Sequence, residues 1–217
     1  MRIGSGAATL KTGDVDTVRA VVRDANGAER ETAAAWSVEN ESVLRLDGTN
    51  RVTAVGPGVT SIRATAEGLS ASLGITVVKN FEGVWTGFYR IEQCIHISGG
   101  GSSYCRFAVG GSRYIRLDLL QRGLQLSGQL SVGDNLGTVV YRGTATGQVV
   151  LAGGATLSGR TTSITDQPGT MEFTAWTSDL TPDGLLAGRF TANRNFTNAF
   201  GPQVGREECQ FTNLKRE

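Results

Sequence analysis

Histidine is almost missing from this chain: His96 is the single copy in 217 residues. A Ser–His or Cys–His catalytic system would have to be built around that one ring. It lies in Ile95-His96-Ile97, ahead of the run Ser98-Gly99-Gly100-Gly101-Ser102-Ser103, with no acidic partner beside it. The reading is a loop or surface histidine. Cysteine is scarce as well, at Cys94, Cys105 and Cys209. Three scattered thiols and one imidazole do not make the four closely spaced ligands of a zinc site. Proline is limited to 4 residues, and the 30 glycines follow no collagen period. No apolar run reaches the roughly 20 residues that cross a bilayer. The first residues, MRIGSGAATLKTGD, lack the apolar core of a signal peptide, so an export signal is expected to be absent from this sequence. Charge of either sign is not in excess, with 21 Lys+Arg against 20 Asp+Glu. That balance argues against a nucleic-acid groove and against a polybasic membrane patch. Neither a nucleic-acid partner nor membrane insertion is expected.

Other chemical sets are thin too. Gly99-Gly100-Gly101 is not followed by Lys-Ser/Thr or by a helix, so it is no phosphate loop. Glu207 and Glu208 are adjacent and point to opposite faces of a strand, and Asp179 and Asp183 flank a turn. Neither pair has the arrangement glycoside hydrolysis uses. Asp14/Asp16 and Asp24/Asn26 are too sparse for a calcium loop. No catalytic residue, cofactor or metal is expected, and the chain reads as a non-enzyme.

What the chain does have is alternation. From Trp36 to Val77, short apolar-alternating runs recur every eight to ten residues between turn residues. In Thr60–Ala66, Ile62, Ala64 and Ala66 share one face while Ser61, Arg63 and Thr65 share the other, the period of a half-buried strand. Further runs are expected at Val15–Val22, Ala34–Val38, Val43–Leu46, Arg51–Val55 and Ala71–Val78. Asp24-Ala25-Asn26-Gly27, Asp47-Gly48 and Gly56-Pro57-Gly58 supply the turns.

The residues Ala8-Thr9-Leu10, Gly13, Val18 to Gly27, Trp36-Ser37, Val52 to Gly58 and Ile62 to Ala66 match, in order, the pattern of the group 2 bacterial immunoglobulin-like family. Residues 1–78 resemble that family. The resemblance implies an immunoglobulin-like β-sandwich of bacterial surface or secreted proteins, or of phage particles, and no catalytic residues.

Residues 79–217 have a slower rhythm, with longer strands and interior glycine. Strands are expected at Gly83–Cys94, Cys105–Val109, Tyr114–Gln121, Leu124–Val132, Gly137–Thr146, Gln148–Leu157, Gly169–Thr177, Leu185–Thr191 and Glu207–Lys215. Ile115, Leu117 and Leu119 share a face, Arg122-Gly123 turns the chain, and Leu124, Leu126 and Leu130 return. About eight antiparallel strands predict a closed up-and-down barrel, which leaves no exposed edge. Alternation directs Trp85, Tyr89, Phe173, Phe190 and Phe211 into it together with Ile91, Ile115, Leu117, Leu119, Leu126, Leu130 and Met171, a set that favours a filled interior. Trp176 is one register off Phe173. With Phe88, Tyr114, Phe196 and Phe200 it is expected to form an outer contact patch.

Gly83-Val84-Trp85 and the terminal Lys215-Arg216 resemble the calycin barrels, the lipocalin and avidin group, and small bacterial lipocalin-like domains in particular. The resemblance implies that Arg216 packs over Trp85 and, with Gly83, closes the barrel floor. It carries no ligand residue.

Cys94 and Cys105 flank the Gly/Ser-rich loop, and a disulfide between them is the first expectation. Cys94–Cys209 is the rival, because first and last barrel strands are neighbours; either leaves one odd cysteine. A disulfide places the chain outside the cell or on its surface. The expected function is a non-catalytic, extracellular or cell-surface structural or adhesive module, with a subunit of a surface assembly or filament as a special case. Its partners would be a cell-surface protein, a glycan or copies of itself. A small-ligand-binding barrel on an immunoglobulin-like spacer is the second reading, and a phage decoration or attachment protein the third.

Overall fold

The computed structural model describes residues 1–48, 50–99, 103–151, 153–198 and 201–217. Two compact units divide it, Met1–Asn80 and Phe81–Glu217. The first therefore runs two residues past the boundary expected from the sequence. Asn80 belongs to it, its side-chain amide donating to the Thr12 carbonyl at 3.3 Å.

The first unit is built from β1 (Arg2–Gly4), β2 (Thr9–Lys11), β3 (Val15–Thr17), β4 (Arg19–Arg23), β5 (Glu29–Thr32), β6 (Ala35–Val38), β7 (Leu44–Asp47), β8 (Arg51–Ala54), β9 (Gly58–Ala66) and β10 (Leu69–Val78). Its sheets run β1-β4-β5, β2-β10-β9-β6 and β3-β8-β7. Leu10, Val18, Leu44, Val52, Ile62, Ile75 and Val77 meet in one core, with Trp36 packed half-buried against it. The predicted period holds on β9, where Ile62 and Ala64 are fully buried and Arg63 and Thr65 face water. The single strand expected over Val15–Val22 is instead two. The chain changes sheet at Val18, whose side chain is buried and whose N–H donates to the Asn50 carbonyl at 2.9 Å. That bond satisfies a buried donor which a continuous strand would have paired elsewhere.

The second unit follows with β11 (Gly83–Gly99), a short helix α1 (Ser103–Ala108), β12 (Ser112–Arg122), β13 (Gln125–Gly133), β14 (Val139–Val149), β15 (Ala155–Ser163), β16 (Gly169–Leu180), β17 (Leu186–Asn198) and β18 (Gly201–Arg216). The eight strands close in sequence order, β18 pairing back onto β11. Every pairing is antiparallel, so an all-β chain ends in the expected up-and-down barrel.

Two element assignments differ from expectation. The strand predicted at Cys105–Val109 is the helix α1, which buries Ala108 and leaves Phe107 and Val109 in water. Its apolar residues are too few to distinguish a period of two from one helical turn. The turn expected at Gly147 lies instead around Gly153 and Gly154, both at positive φ. Gly147 stays inside β14 because a Cβ there would collide with the backbone carbonyl of Thr156 on β15. It marks a close approach of two strands rather than a break between them.

The lower end of the barrel, where β11 begins and β18 ends, is packed solid. Leu117, Leu119, Leu126, Leu130, Phe173, Trp176, Phe190 and Phe211 are all buried. The Trp176 and Phe190 rings stack at 4.7 Å, and Tyr89 meets Phe190 edge-on at 5.0 Å. Trp176 is thus an interior residue, not part of an outer patch. The cause is local: Ala175 adopts a positive φ of 47°, and the β16–β17 register slips between Thr174 and Thr177. That bulge shifts the alternation by one and swings the indole inward.

Candidate functional site at the barrel mouth

The upper end of the barrel is different in kind. Alternation along β18 sends Gln203, Glu207 and Cys209 inward, and Arg206, Glu208 and Gln210 outward or to the wall. Facing them are Arg113 from β12, Tyr141 from β14, Arg194 from β17, and Tyr89 and His96 from β11. The His96 ring Nε2 stands 3.3 Å from the Gln203 Oε1. Glu207 is fully buried, and among the described residues neither of its oxygens has a hydrogen-bond partner. Its charged neighbours are Arg113 Nη2 at 3.7 Å and Arg194 Nη1 at 3.9 Å, both longer than a hydrogen bond. Burial pushes the Glu207 carboxyl up to about 8, against the pull of the two guanidiniums. Burial, and then the neighbouring Glu207, raises the Tyr89 hydroxyl above its ordinary value. Arg113 is lowered, first by burial and then by the like charge of Arg194.

Arg194 is held rigidly. Its Nη1 donates to the Tyr104 hydroxyl and its Nη2 to the Tyr141 hydroxyl, each at 3.2 Å. Its guanidinium carbon stands 4.8 Å from the centroid of the Phe196 ring and 5.4 Å from those of Tyr104 and Tyr141. Such cation–aromatic contacts are worth about 0.5–2 kcal/mol each and fix a long side chain that would otherwise wander. The Nε is buried and has no hydrogen-bond partner among the described residues. Tyr104 reaches this cluster because α1 is tied to β11 by the disulfide Cys94–Cys105. That bond settles the pairing. Cys209 is a buried free thiol, raised by burial and by Glu207, and not a partner of Cys94.

Above this cluster opens a cleft of about 570 Å³, bounded by Arg113, Tyr141, Ser163, Asp166, Arg194 and Phe196. Its size falls in the range of small-molecule sites. Polar groups at the deep end, open access above and a packed apolar floor below are a geometry for holding a ligand. Among the described residues no group of three or more His, Cys, Asp or Glu side chains could hold a metal ion.

The other sequence-predicted residues fall in separate places. At the floor, the Arg216 guanidinium lies over Trp85, 4.7 Å from its ring centroid, and the indole Nε1 donates to the Phe81 carbonyl at 2.8 Å. Gly83, at φ 126°, lets the Arg216 side chain pass, since a Cβ there would stand 3.1 Å from its Nε. Of the expected outer patch, Trp176 is in the interior. Phe88 and Tyr114 pair edge-on at 5.8 Å on the barrel wall, while Phe196 turns to Tyr104 at 4.8 Å. Phe200 lies outside the described residues. Sequence reasoning does not single out Arg113 or Tyr141, places a mouth near Ser98–Tyr104 and Asn193–Gly205 without naming roles for Tyr104 or Arg194, and weighs Glu207 only as half of an adjacent carboxylate pair. For Glu207 the signal was present: it alternates in phase with Cys209 and Phe211, which marks it as inward-facing.

No protein-family model matches the chain. A partial match is found to a lacto-N-biosidase of Bifidobacterium bifidum, 35% identical over 81 residues, covering 37% of this chain. The chain spans only 7% of the length of that protein. The disulfide is compatible with an extracellular protein. Among the described residues no helix is long and apolar enough to cross a membrane.

Proposed function

We propose that the protein is a non-catalytic, extracellular binding module in which the barrel takes a small polar ligand at its mouth and the N-terminal sandwich carries it. The observation behind this reading is the open cleft with two arginines at its base, Arg194 anchored on tyrosine hydroxyls and Arg113 without a hydrogen bond among the described residues. Side chains of that kind are costly to bury; here Arg194 is preorganised and Arg113 keeps hydrogen-bonding capacity. The resemblances to bacterial immunoglobulin-like and calycin domains point the same way, as does the disulfide. Outward positions on the barrel, among them Asp118, Arg142, Arg160 and Glu172, are charged and exposed, unlike the apolar band of a lipid-facing barrel. The partial lacto-N-biosidase match covers too little of that protein to bring its activity here. Glu207 is fully buried beside Arg113 and Arg194 and does not line the cleft, which gives hydrolysis no support from it.

A thermal-shift screen of the whole chain against a broad panel of polar small molecules tests the proposal. A ligand that raises the unfolding midpoint, and does so less when Arg113 is replaced by Ala, is the expected result. A panel without a single stabilising compound, combined with self-assembly of the protein at working concentration, would favour the adhesive or filament reading instead.

A further inference from the structure

The cleft is polarised. Its cations, Arg113 and Arg194, sit at the base, while Ser163, Thr165, Asp166 and Gln167 stand on the β15–β16 rim. Arg113 is 19% exposed at its side chain, and the approach to Glu207 at 3.7 Å is its nearest charged contact. It makes no hydrogen bond among the described residues, so apart from the Nη2 that approaches Glu207 its N–H donors are left for a ligand in the cleft it lines. Arg194 spends two donors on tyrosine hydroxyls and keeps a buried Nε. On the rim, Asp134 is committed: its Oδ1 accepts from the Leu136 and Thr138 amides at 2.9 Å. Ser163 and Thr165 hydroxyls touch at 2.9 Å, and Asp166 is exposed. The charged residues that line the cleft are thus Arg113 and Arg194, with Asp134 and Asp166, and Glu207 is buried behind the two arginines.

We propose that this cleft binds a sugar acid, its carboxylate on the Arg113 fork beside Arg194 and its hydroxyls on Ser163, Thr165 and Asp166. The inference rests on the binding-module reading and narrows it. Guanidinium forks match carboxylates bidentately, so the deep end selects the acid. Carboxylate and hydroxyl side chains accept and donate to a polyol, so the rim selects the ring. A simple anion uses only the deep end and leaves the polar rim unpaired. A neutral sugar uses only the rim and leaves the guanidiniums unpaired. A cleft of about 570 Å³ leaves room for one or two sugar rings.

The test is isothermal titration of the full chain with glucuronate, N-acetylneuraminate, glucose and inorganic phosphate. At least one of the two sugar acids is expected to bind at least tenfold more tightly than glucose and phosphate. Arg113→Lys keeps the charge and loses the fork, and is expected to weaken that acid at least tenfold with an unchanged unfolding midpoint. Arg194→Met leaves Glu207 without one of its cations, so it is made together with Glu207→Gln, and is expected to weaken binding by a similar factor. Glucose binding as tightly as the acids overturns the inference while leaving a ligand-binding mouth in place. Phosphate binding as tightly as the acids overturns the sugar half of it. Failure of all four probes also overturns it, and the broader proposal falls only if the wide thermal-shift screen finds nothing as well.

Discussion

Replacing both Cys94 and Cys105 by Ser tests the link between the disulfide and the mouth. The bond joins residues 11 apart. Closing a loop of about a dozen residues removes unfolded-state entropy worth about 3 kcal/mol in the chain-entropy description. For a unit the size of the barrel, that is about 10 °C of unfolding midpoint. The assay is urea unfolding followed by tryptophan fluorescence. Trp85 and Trp176 are buried in the barrel, and Trp36 belongs to the first unit, so a Trp36→Phe background isolates the barrel signal. The midpoint is expected to fall with little change in slope, because the same surface is exposed on unfolding. The disulfide also anchors α1 and Tyr104, so Arg194 loses one of its two hydroxyl acceptors when the helix loosens. Ligand affinity should therefore fall together with stability. A loss below about 1 kcal/mol would refute the entropic argument, since the smallest loops still carry more than that in this description. Full stability loss with unchanged ligand affinity would refute the coupling through Tyr104.

Other consequences follow from single contacts. Gly143→Ala would press a methyl group onto the Arg160 carbonyl across the β14–β15 pair, where no flexible side chain can yield. Its expected cost is about 1–3 kcal/mol or more, read from the barrel's urea midpoint. Arg216→Ala removes the guanidinium from the Trp85 face and should cost about 0.5–2 kcal/mol with a red-shifted or altered Trp85 emission. Burial holds the Glu207 carboxyl up at about 8, above its ordinary value. A raised folded-state value means that the contribution to stability is fully present below the ordinary carboxylate range and is lost as pH rises through about 8. The barrel's urea midpoint should thus decline between pH 5 and pH 9, and Glu207→Gln should flatten that decline; a wild-type midpoint that rises over this interval contradicts it. Ile62→Ala opens a hole in the first unit's core and should cost about 2–5 kcal/mol there, with the barrel transition unmoved.

The fold was largely readable because strand alternation is a local signal and two halves of the chain carry it at different lengths. Ile115, Leu117 and Leu119, or Ile62 and Ala64, announce their faces within a few residues. The errors sit where a local cue has a non-local cause. Gly147 has the composition of a turn, but its role is set by Thr156 across the sheet. Trp176 was misplaced because a one-residue bulge at Ala175 reverses the alternation, and Ala is not a residue that advertises a positive φ. The site was harder to read. Arg113, Tyr141, Arg194 and Glu207 come from four strands and share no sequence spacing. Only barrel closure brings them together. Tyr104 is added by a helix that the disulfide holds in place.

The central claim is that the barrel mouth is the binding surface. A ¹⁵N-correlated NMR titration of the whole chain with the tightest sugar acid tests it most directly. Shifts confined to the amides and arginine side-chain N–H groups of Arg113, Tyr141, Ser163 to Gln167 and Arg194, with residues 1–80 unmoved, are the predicted result. Saturable shifts that map instead to the first unit or to the barrel's outer wall, with the Arg113 and Arg194 resonances unchanged, would contradict it.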